Sequence, residues 1–203
     1  MRRRRACLVL ALGAGLGGCA SVPGRPAPGA DDARWQAHRE TVAALDRFTL
    51  TGRVAIQHGA EGGGAKLRWR QTGQDSDLRI TARLAQGTLR LEGNEQAVVL
   101  TAPDGRQYRA ASFEALMAAH VGWSFPVDGA RYWVRGIPDP AQPVENLALD
   151  SAGRLSDLAQ AGWRISVLEY GPGLGVTLPK RLFLNAGELK IRLAIDGWTA
   201  PGG

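Results

Sequence analysis

The 203-residue chain holds two cysteines, three histidines and one serine set in the pattern Gly122-Trp123-Ser124-Phe125-Pro126, and these are its first candidates for chemistry. His38, His58 and His120 fall in different elements with no HExxH-like spacing, so they read as surface or core residues and not as metal ligands. The Ser124 stretch half matches a nucleophile elbow. Pro126 stands where the closing glycine belongs, however, and a helix precedes the stretch where the elbow needs a strand. Gly59 to Lys66 is rich in glycine, yet no GK[ST] follows at the spacing of a phosphate-binding loop. No constellation for catalysis, a metal or a cofactor remains, and an enzyme is not expected. One reactive position is left, Cys19.

Cys19 closes a basic and then apolar N-terminus: Arg2 to Arg5, followed by an unbroken run of apolar and glycine residues from Ala6 to Gly18. A positive start, a short apolar stretch and small residues before a cut make a secretory signal. The run is too short to span a bilayer, which takes about 20 apolar residues. Leu16-Gly17-Gly18-Cys19 resembles a lipobox, at which the cysteine is acylated and the chain is cut just before it. The alternative is an ordinary signal peptide with an incidental cysteine. The lipobox reading divides the chain into a signal peptide (1–18), an acylated cysteine with a flexible tether (19–32) and a single domain (33–203). Two acyl chains already anchor a protein stably, so a triacylated Cys19 would hold the domain at a membrane. Ala20, which is not aspartate, is read as permission to reach the outer membrane.

Loss of residues 1–18 removes four of the 25 lysines and arginines, leaving 21 against 19 acidic residues, close to +2. A nucleic-acid partner is therefore not expected, since such partners call for a basic face. With Cys7 in the signal and Cys19 acylated, no disulfide can form and the domain must rest on its core. Pro23, Pro26 and Pro28 with Gly24 and Gly29 make the tether too poor in apolar residues to order itself.

The domain opens with helical spacing over Ala33 to Asp46, capped by Asp31 or Asp32, with Trp35, His38, Val42 and Leu45 on one face. Period-two alternation then marks a strand at Phe48 to Gln57, a glycine-rich turn at Gly59 to Gly64, and strands at Lys66–Arg70, Asp77–Ala82, Thr88–Glu92, Ala97–Ala102 and Arg106–Arg109. Ser112 can cap a helix over Phe113 to Val121, and a second helix runs from Gly129 to Arg135. Strands resume at Asn146–Leu149, Leu155–Gln160, Arg164–Glu169, Arg181–Asn185 and Glu188–Asp196. Short alternating strands with turns between them give a mainly β fold, one curved antiparallel sheet or barrel. Helices inserted in mid-meander can lie across one face and roof an apolar groove. In the loop Arg83-Leu84-Ala85-Gln86-Gly87, Leu84 stands near the tip between two amphipathic strands, either exposed or tucked back on the domain.

The order of several pieces resembles the outer-membrane lipoprotein receptor family LolB: the lipobox, the Trp35-Gln36 helix, Gly52-Arg53-Val54-Ala55, Trp69-Arg70-Gln71, the loop after Thr81, Ala102-Pro103-Asp104-Gly105, Tyr132-Trp133-Val134-Arg135-Gly136 and Leu193 to Trp198. The resemblance implies an unclosed antiparallel β-barrel, or half-barrel, with a helical lid over an apolar cavity. It also implies a monomer that takes acylated lipoproteins from a periplasmic carrier, LolA, and inserts them into the inner leaflet of the outer membrane without nucleotide. Leu84 matches the apolar residue of a membrane-insertion loop, although Arg83 and Ala85 flank it where the family often has proline and glycine. Candidates to line the acyl-chain cavity are Val54, Ile56, Leu67, Trp69, Ile80, Leu89, Leu91, Val98 and Leu100 from the first half of the sheet. Leu116, Met117 and Trp133 come from the lid, and Ile165, Val167, Leu182, Leu184, Ile191 and Leu193 from the second half; plain core packing is the competing role for each. Arg53, Arg68 and Arg70 either meet an acidic rim on the carrier or form a solvated strand face. The runner-up function is a lipid-anchored envelope-assembly protein that docks a protein partner through its apolar face.

Overall fold

The computed structural model describes residues 30–82 and 87–201; Cys19, the tether before residue 30 and Leu84 lie outside them. The elements are α1 (Ala30–Ala43), β1 (Arg47–His58), β2 (Glu61–Thr72), β3 (Asp75–Ala82), β4 (Thr88–Gly93), β5 (Val98–Thr101), β6 (Gln107–Ala110), α2 (Phe113–Val121), α3 (Val127–Trp133), β7 (Val144–Leu149), β8 (Leu155–Gln160), β9 (Trp163–Gly173), β10 (Val176–Ala186) and β11 (Leu189–Thr199).

Antiparallel pairing orders the strands β6-β5-β4-β3-β2-β1-β11-β10-β9-β8-β7. Each strand pairs with its neighbour in sequence except at two places. The first strand pairs with the last, and the free edges β6 and β7 are joined by the segment that carries α2 and α3. The barrel is thus unclosed, and the chain bridging its open edges is the lid. Alternation sets one side of every strand into a shared core that includes Phe48, Leu50, Trp69, Leu91, Leu100, Ile165 and Leu178, all nearly inaccessible to solvent. That core runs from Trp35 to Trp198 and draws on sheet and helices alike. A chain beginning at Ala20 therefore carries everything this core is made of.

Two local features explain how the sheet curls. The β1–β11 register shifts between Thr51 and Gly52. A side chain at Gly52 would collide with the Ala194 carbonyl oxygen, so only glycine lets the two strands approach there. The β9–β10 register shifts on either side of Arg181, next to Pro179, which cannot donate to a ladder.

Several sequence-based boundaries move. The first helix starts at Ala30 and ends at Ala43, not Asp46, so Asp31 and Asp32 lie inside its first turn and do not cap it. Its apolar face has Trp35 and Val42 buried and His38 half-buried as expected, while Leu45, half-buried, falls beyond the helix end. The glycine-rich turn shrinks to Gly59 and Ala60; Gly62, Gly63 and Gly64 belong to β2, paired with Gln57, Ile56 and Ala55. Partner-strand hydrogen bonds here override glycine's weak strand preference. The second lid helix lies two residues earlier than expected, Val127–Trp133.

Candidate lipid-binding cavity

Beneath the lid is a cavity of about 50 Å³ with only apolar side chains on its wall. The sheet supplies Val54 and Ile56 (β1), Leu67 and Trp69 (β2), Leu78 and Ile80 (β3), Leu91 (β4), Leu184 (β10), and Ile191 and Leu193 (β11). Cross-strand register explains the grouping: Leu67 faces Ile80, Trp69 faces Leu78, Leu78 faces Leu91, and Ile191 lies opposite both Ile56 and Leu184. The roof is Met117 from α2, Trp123 and Phe125 from the connection, Val127 from α3 and Val134 just after it. A wall with no donor or acceptor cannot orient a polar ligand. It can only favour apolar surface, at roughly 25 cal/mol per Å² removed from water.

Ten of the residues expected on the wall are on it: Val54, Ile56, Leu67, Trp69, Ile80, Leu91, Met117, Leu184, Ile191 and Leu193. Val98, Leu100, Leu116, Trp133, Ile165, Val167 and Leu182 are buried in the packed layer around the cavity, and Leu89 is half-buried against that layer. Leu78, Trp123, Phe125, Val127 and Val134 complete the wall and were not anticipated. For Trp123 and Phe125 a cue existed, two aromatic residues in a five-residue connection, but the same stretch drew attention as a failed nucleophile elbow.

Trp123 and Ile56 also line a wider, open groove of about 750 Å³ together with His58, Gly62, Gly63, Gly64, Ala82 and Val121. This is the mouth. Trp123 and Ile56 are the residues it shares with the inner cavity. Gly63 and Ala65 stand opposite Ile56 and Val54 on the cavity side of β2, and small side chains there leave the mouth wide. Ala82, the last described residue before Leu84 in the chain, is on this groove.

Polar pins hold α3 and the chain that follows it. Gln160, fully buried on β8, accepts from Trp133 Nε1 at 2.8 Å and from the Asp139 amide at 2.9 Å, and donates to the carbonyls of Asp139 and Gln142, each at 2.9 Å. Arg135, also buried, donates through Nη1 to the Leu45 carbonyl at 2.9 Å and the Val42 carbonyl at 3.3 Å, and through Nε to the Arg131 carbonyl at 2.9 Å. A guanidinium at the C-terminus of α1 meets the negative end of its dipole. Burial lowers the pKa of Arg135 to about 10, so it remains a cation at neutral pH. Arg131 pairs with Glu95 at 3.0 Å. By contrast, the strap Gly122–Pro126 has no side-chain hydrogen bond among the described residues; Phe125 rests its ring edge-on against Trp163, 5.3 Å between centroids.

The histidines stay apart: His38 packs edge-on to Tyr170, His120 stacks on Tyr108, and His58 is exposed. Among the described residues no cluster of three or more histidine, aspartate or glutamate side chains could hold a metal ion.

Comparison with known proteins fits this architecture. A family model described as "Outer membrane lipoprotein LolB" matches residues 46–198. The chain belongs to the LolB family. An outer-membrane lipoprotein LolB from Nitrosococcus oceani is 39% identical over 90% of this chain and 91% of its own length. One from Stutzerimonas stutzeri is 38% identical over 95% and 92%. Among solved structures, a LolA superfamily protein from Nitrosomonas europaea superposes with a TM-score of 0.56 at 8% identity, covering 85% of this chain and 94% of that one. At that identity the likeness is one of fold. As a LolB family member the chain is a lipid-anchored protein of the outer membrane. No helix among the described residues is long and apolar enough to cross a membrane.

Proposed function

We propose that this chain, anchored through an acylated Cys19, receives triacylated lipoproteins from the periplasmic carrier LolA and delivers them to the inner leaflet of the outer membrane. The observation that carries the reading is the wholly apolar cavity under the lid of a LolB-family half-barrel. Each methylene withdrawn from water is worth about 0.8 kcal/mol. Three acyl chains free in water would therefore cost some tens of kcal/mol. The cargo must pass from cavity to cavity to lipid, and graded affinities suffice without nucleotide or catalysis.

The cavity of about 50 Å³ is a resting volume. An apolar cavity of about 150 Å³ holds one benzene, so acyl chains enter only if the roof moves. The pinned α3 stays and the unpinned strap yields, joining the inner cavity to the mouth. Leu84, two residues beyond Ala82 at the mouth, then enters or perturbs the leaflet.

The test mixes a domain beginning at Ala20 with carrier loaded with a triacylated lipoprotein, in the absence of ATP. Cargo should move to the domain. A folded domain that leaves all cargo on a compatible carrier would overturn the proposal. Leu84→Glu should then accept cargo normally but fail to pass it to vesicles.

A further inference from the structure

The outer face of the sheet contains an arrangement that its own packing does not explain. In the register of β2, β3 and β4, Arg68 lies directly opposite Arg79, and Arg79 directly opposite Arg90. Three guanidinium groups abreast are unfavourable, because like charges facing across strands destabilise a sheet. One row along, the compensation is two carboxylates facing each other, the buried Asp77 and the half-buried Glu92, against the four arginines Arg68, Arg70, Arg79 and Arg90. Arg90 grips Asp77 with two hydrogen bonds, of 3.1 and 3.0 Å, Arg70 reaches it at 3.2 Å, and Arg79 stands at 3.6 Å. Arg90 also contacts Glu92. Asp77 is thus spent chiefly on Arg90, and Arg68 has no ion pair among the described residues.

Arg68, Arg70, Arg79 and Asp77 wall a pit of about 130 Å³ open to solvent. Its surplus is positive and its donors converge, which suits a compact oxyanion with several acceptor oxygens. We propose that Arg68, Arg70 and Arg79 form a phosphoryl-binding site, occupied by the headgroup phosphate of an anionic phospholipid. A lipid-anchored protein keeps such headgroups always within reach of its tether. The placement along the strand agrees. From Arg79 to Ala82 is three residues, about 10 Å of strand, so a headgroup held at Arg79 sets the start of the Leu84 segment about one interfacial depth further on. The site does not depend on the cargo hand-over proposed above.

The test is flotation of the domain beginning at Ala20 with vesicles of phosphatidylcholine plus phosphatidylglycerol, against vesicles of phosphatidylcholine alone. Binding should favour the anionic vesicles. Arg68→Ala with Arg79→Ala should weaken it by about 30-fold, from about fivefold per basic residue at an anionic surface. Arg164→Ala with Lys190→Ala, two cations elsewhere on the sheet, should cost far less; an equal loss would mean diffuse attraction and overturn the site. Inorganic phosphate should raise the melting temperature of the parent and not of the double variant. Phosphate binding without vesicle binding would overturn the lipid as the source. Slower transfer from loaded carrier with vesicle binding unchanged would assign the arginines to a protein partner and overturn the proposal likewise. Removing facing like charges should leave the double variant at least as resistant to urea as the parent. A less stable double variant would overturn the premise that the row is uncompensated.

Discussion

The two halves of the lid are built from the same stretch of chain and held in opposite ways. From Val127 onward the roof is pinned by buried hydrogen bonds to β8 and to the end of α1. From Gly122 to Pro126 the side chains make only apolar contacts among the described residues, with Trp123 lining both cavity and mouth and Phe125 on Trp163, and the backbone hydrogen bonds there reach only to Met117, Val127 and Ala130 of the adjoining helices. Hydrogen bonds in a core are directional and costly to leave unmade, whereas an apolar contact is indifferent to which apolar surface replaces it. Acyl chains can therefore replace the apolar contacts of the strap's side chains without leaving a side-chain donor or acceptor unsatisfied, and they cannot replace the pins of α3. The opening proposed above therefore falls to the strap and not to α3.

Gln160→Leu should have the largest effect on the pinned half. It would orphan Trp133 Nε1, the Asp139 amide and the Gln142 carbonyl, and leave the Asp139 carbonyl to the Gln142 amide at 3.3 Å, and should cost about 4 kcal/mol in urea unfolding, at a few kcal/mol per buried unpaired group. Arg135→Met comes next, at about 3 kcal/mol, because part of what its hydrogen bonds give is already offset by burying a charge. Arg135→Lys should recover part of this loss, since it keeps the cation but not the fork of donors. Trp123→Ala should cost only about 1–2 kcal/mol, below the 3–5 typical of a fully buried tryptophan. It should also speed uptake of a fluorescent fatty acid in stopped-flow mixing. If Trp123→Ala destabilises as much as Gln160→Leu, or leaves uptake unchanged, the strap is not the gate.

The sequence carried the sheet further than the roof. Period-two alternation is a backbone property that tertiary contacts reinforce, so Val54, Ile56, Leu67, Trp69, Ile191 and Leu193 could be assigned to the inner face with no structure at all. Alternation does not say which inward residues meet a void and which meet each other. Leu182 and Ile165 have the same pattern as Leu184, yet only Leu184 reaches the cavity. The roof has no period, and Trp123 and Phe125 are positioned by where α2 and α3 leave the chain. Glycine misled in β2, where pairing with β1 holds residues that intrinsic preference would place in a turn, and β10 starts at Val176, before the expected Arg181, with a register shift beside Pro179.

The pinned and unpinned halves meet at the first turn of α3. Pro126 offers no side-chain cap there, and Asp128 has a buried Oδ1 with no partner among the described residues. Burial raises the Asp128 carboxyl to about 6; Arg131 opposes this, while Glu114, Glu95 and Asp139 add to it. A carboxyl whose pKa is higher folded than unfolded binds its proton more tightly in the native state. Its contribution to stability therefore falls as pH rises from about 4 to about 6 and stays low above that. Asp128→Asn removes the titration but keeps the shape. At pH 7.5 it should stabilise the domain by about 1 kcal/mol, a figure reduced because the group is partly solvated. Below pH 4 the two chains should unfold alike. Urea titrations across that range would show the advantage appearing between pH 4 and 6. An advantage independent of pH would mean that Asp128 destabilises through packing, and that the turn joining strap to α3 carries no charge penalty.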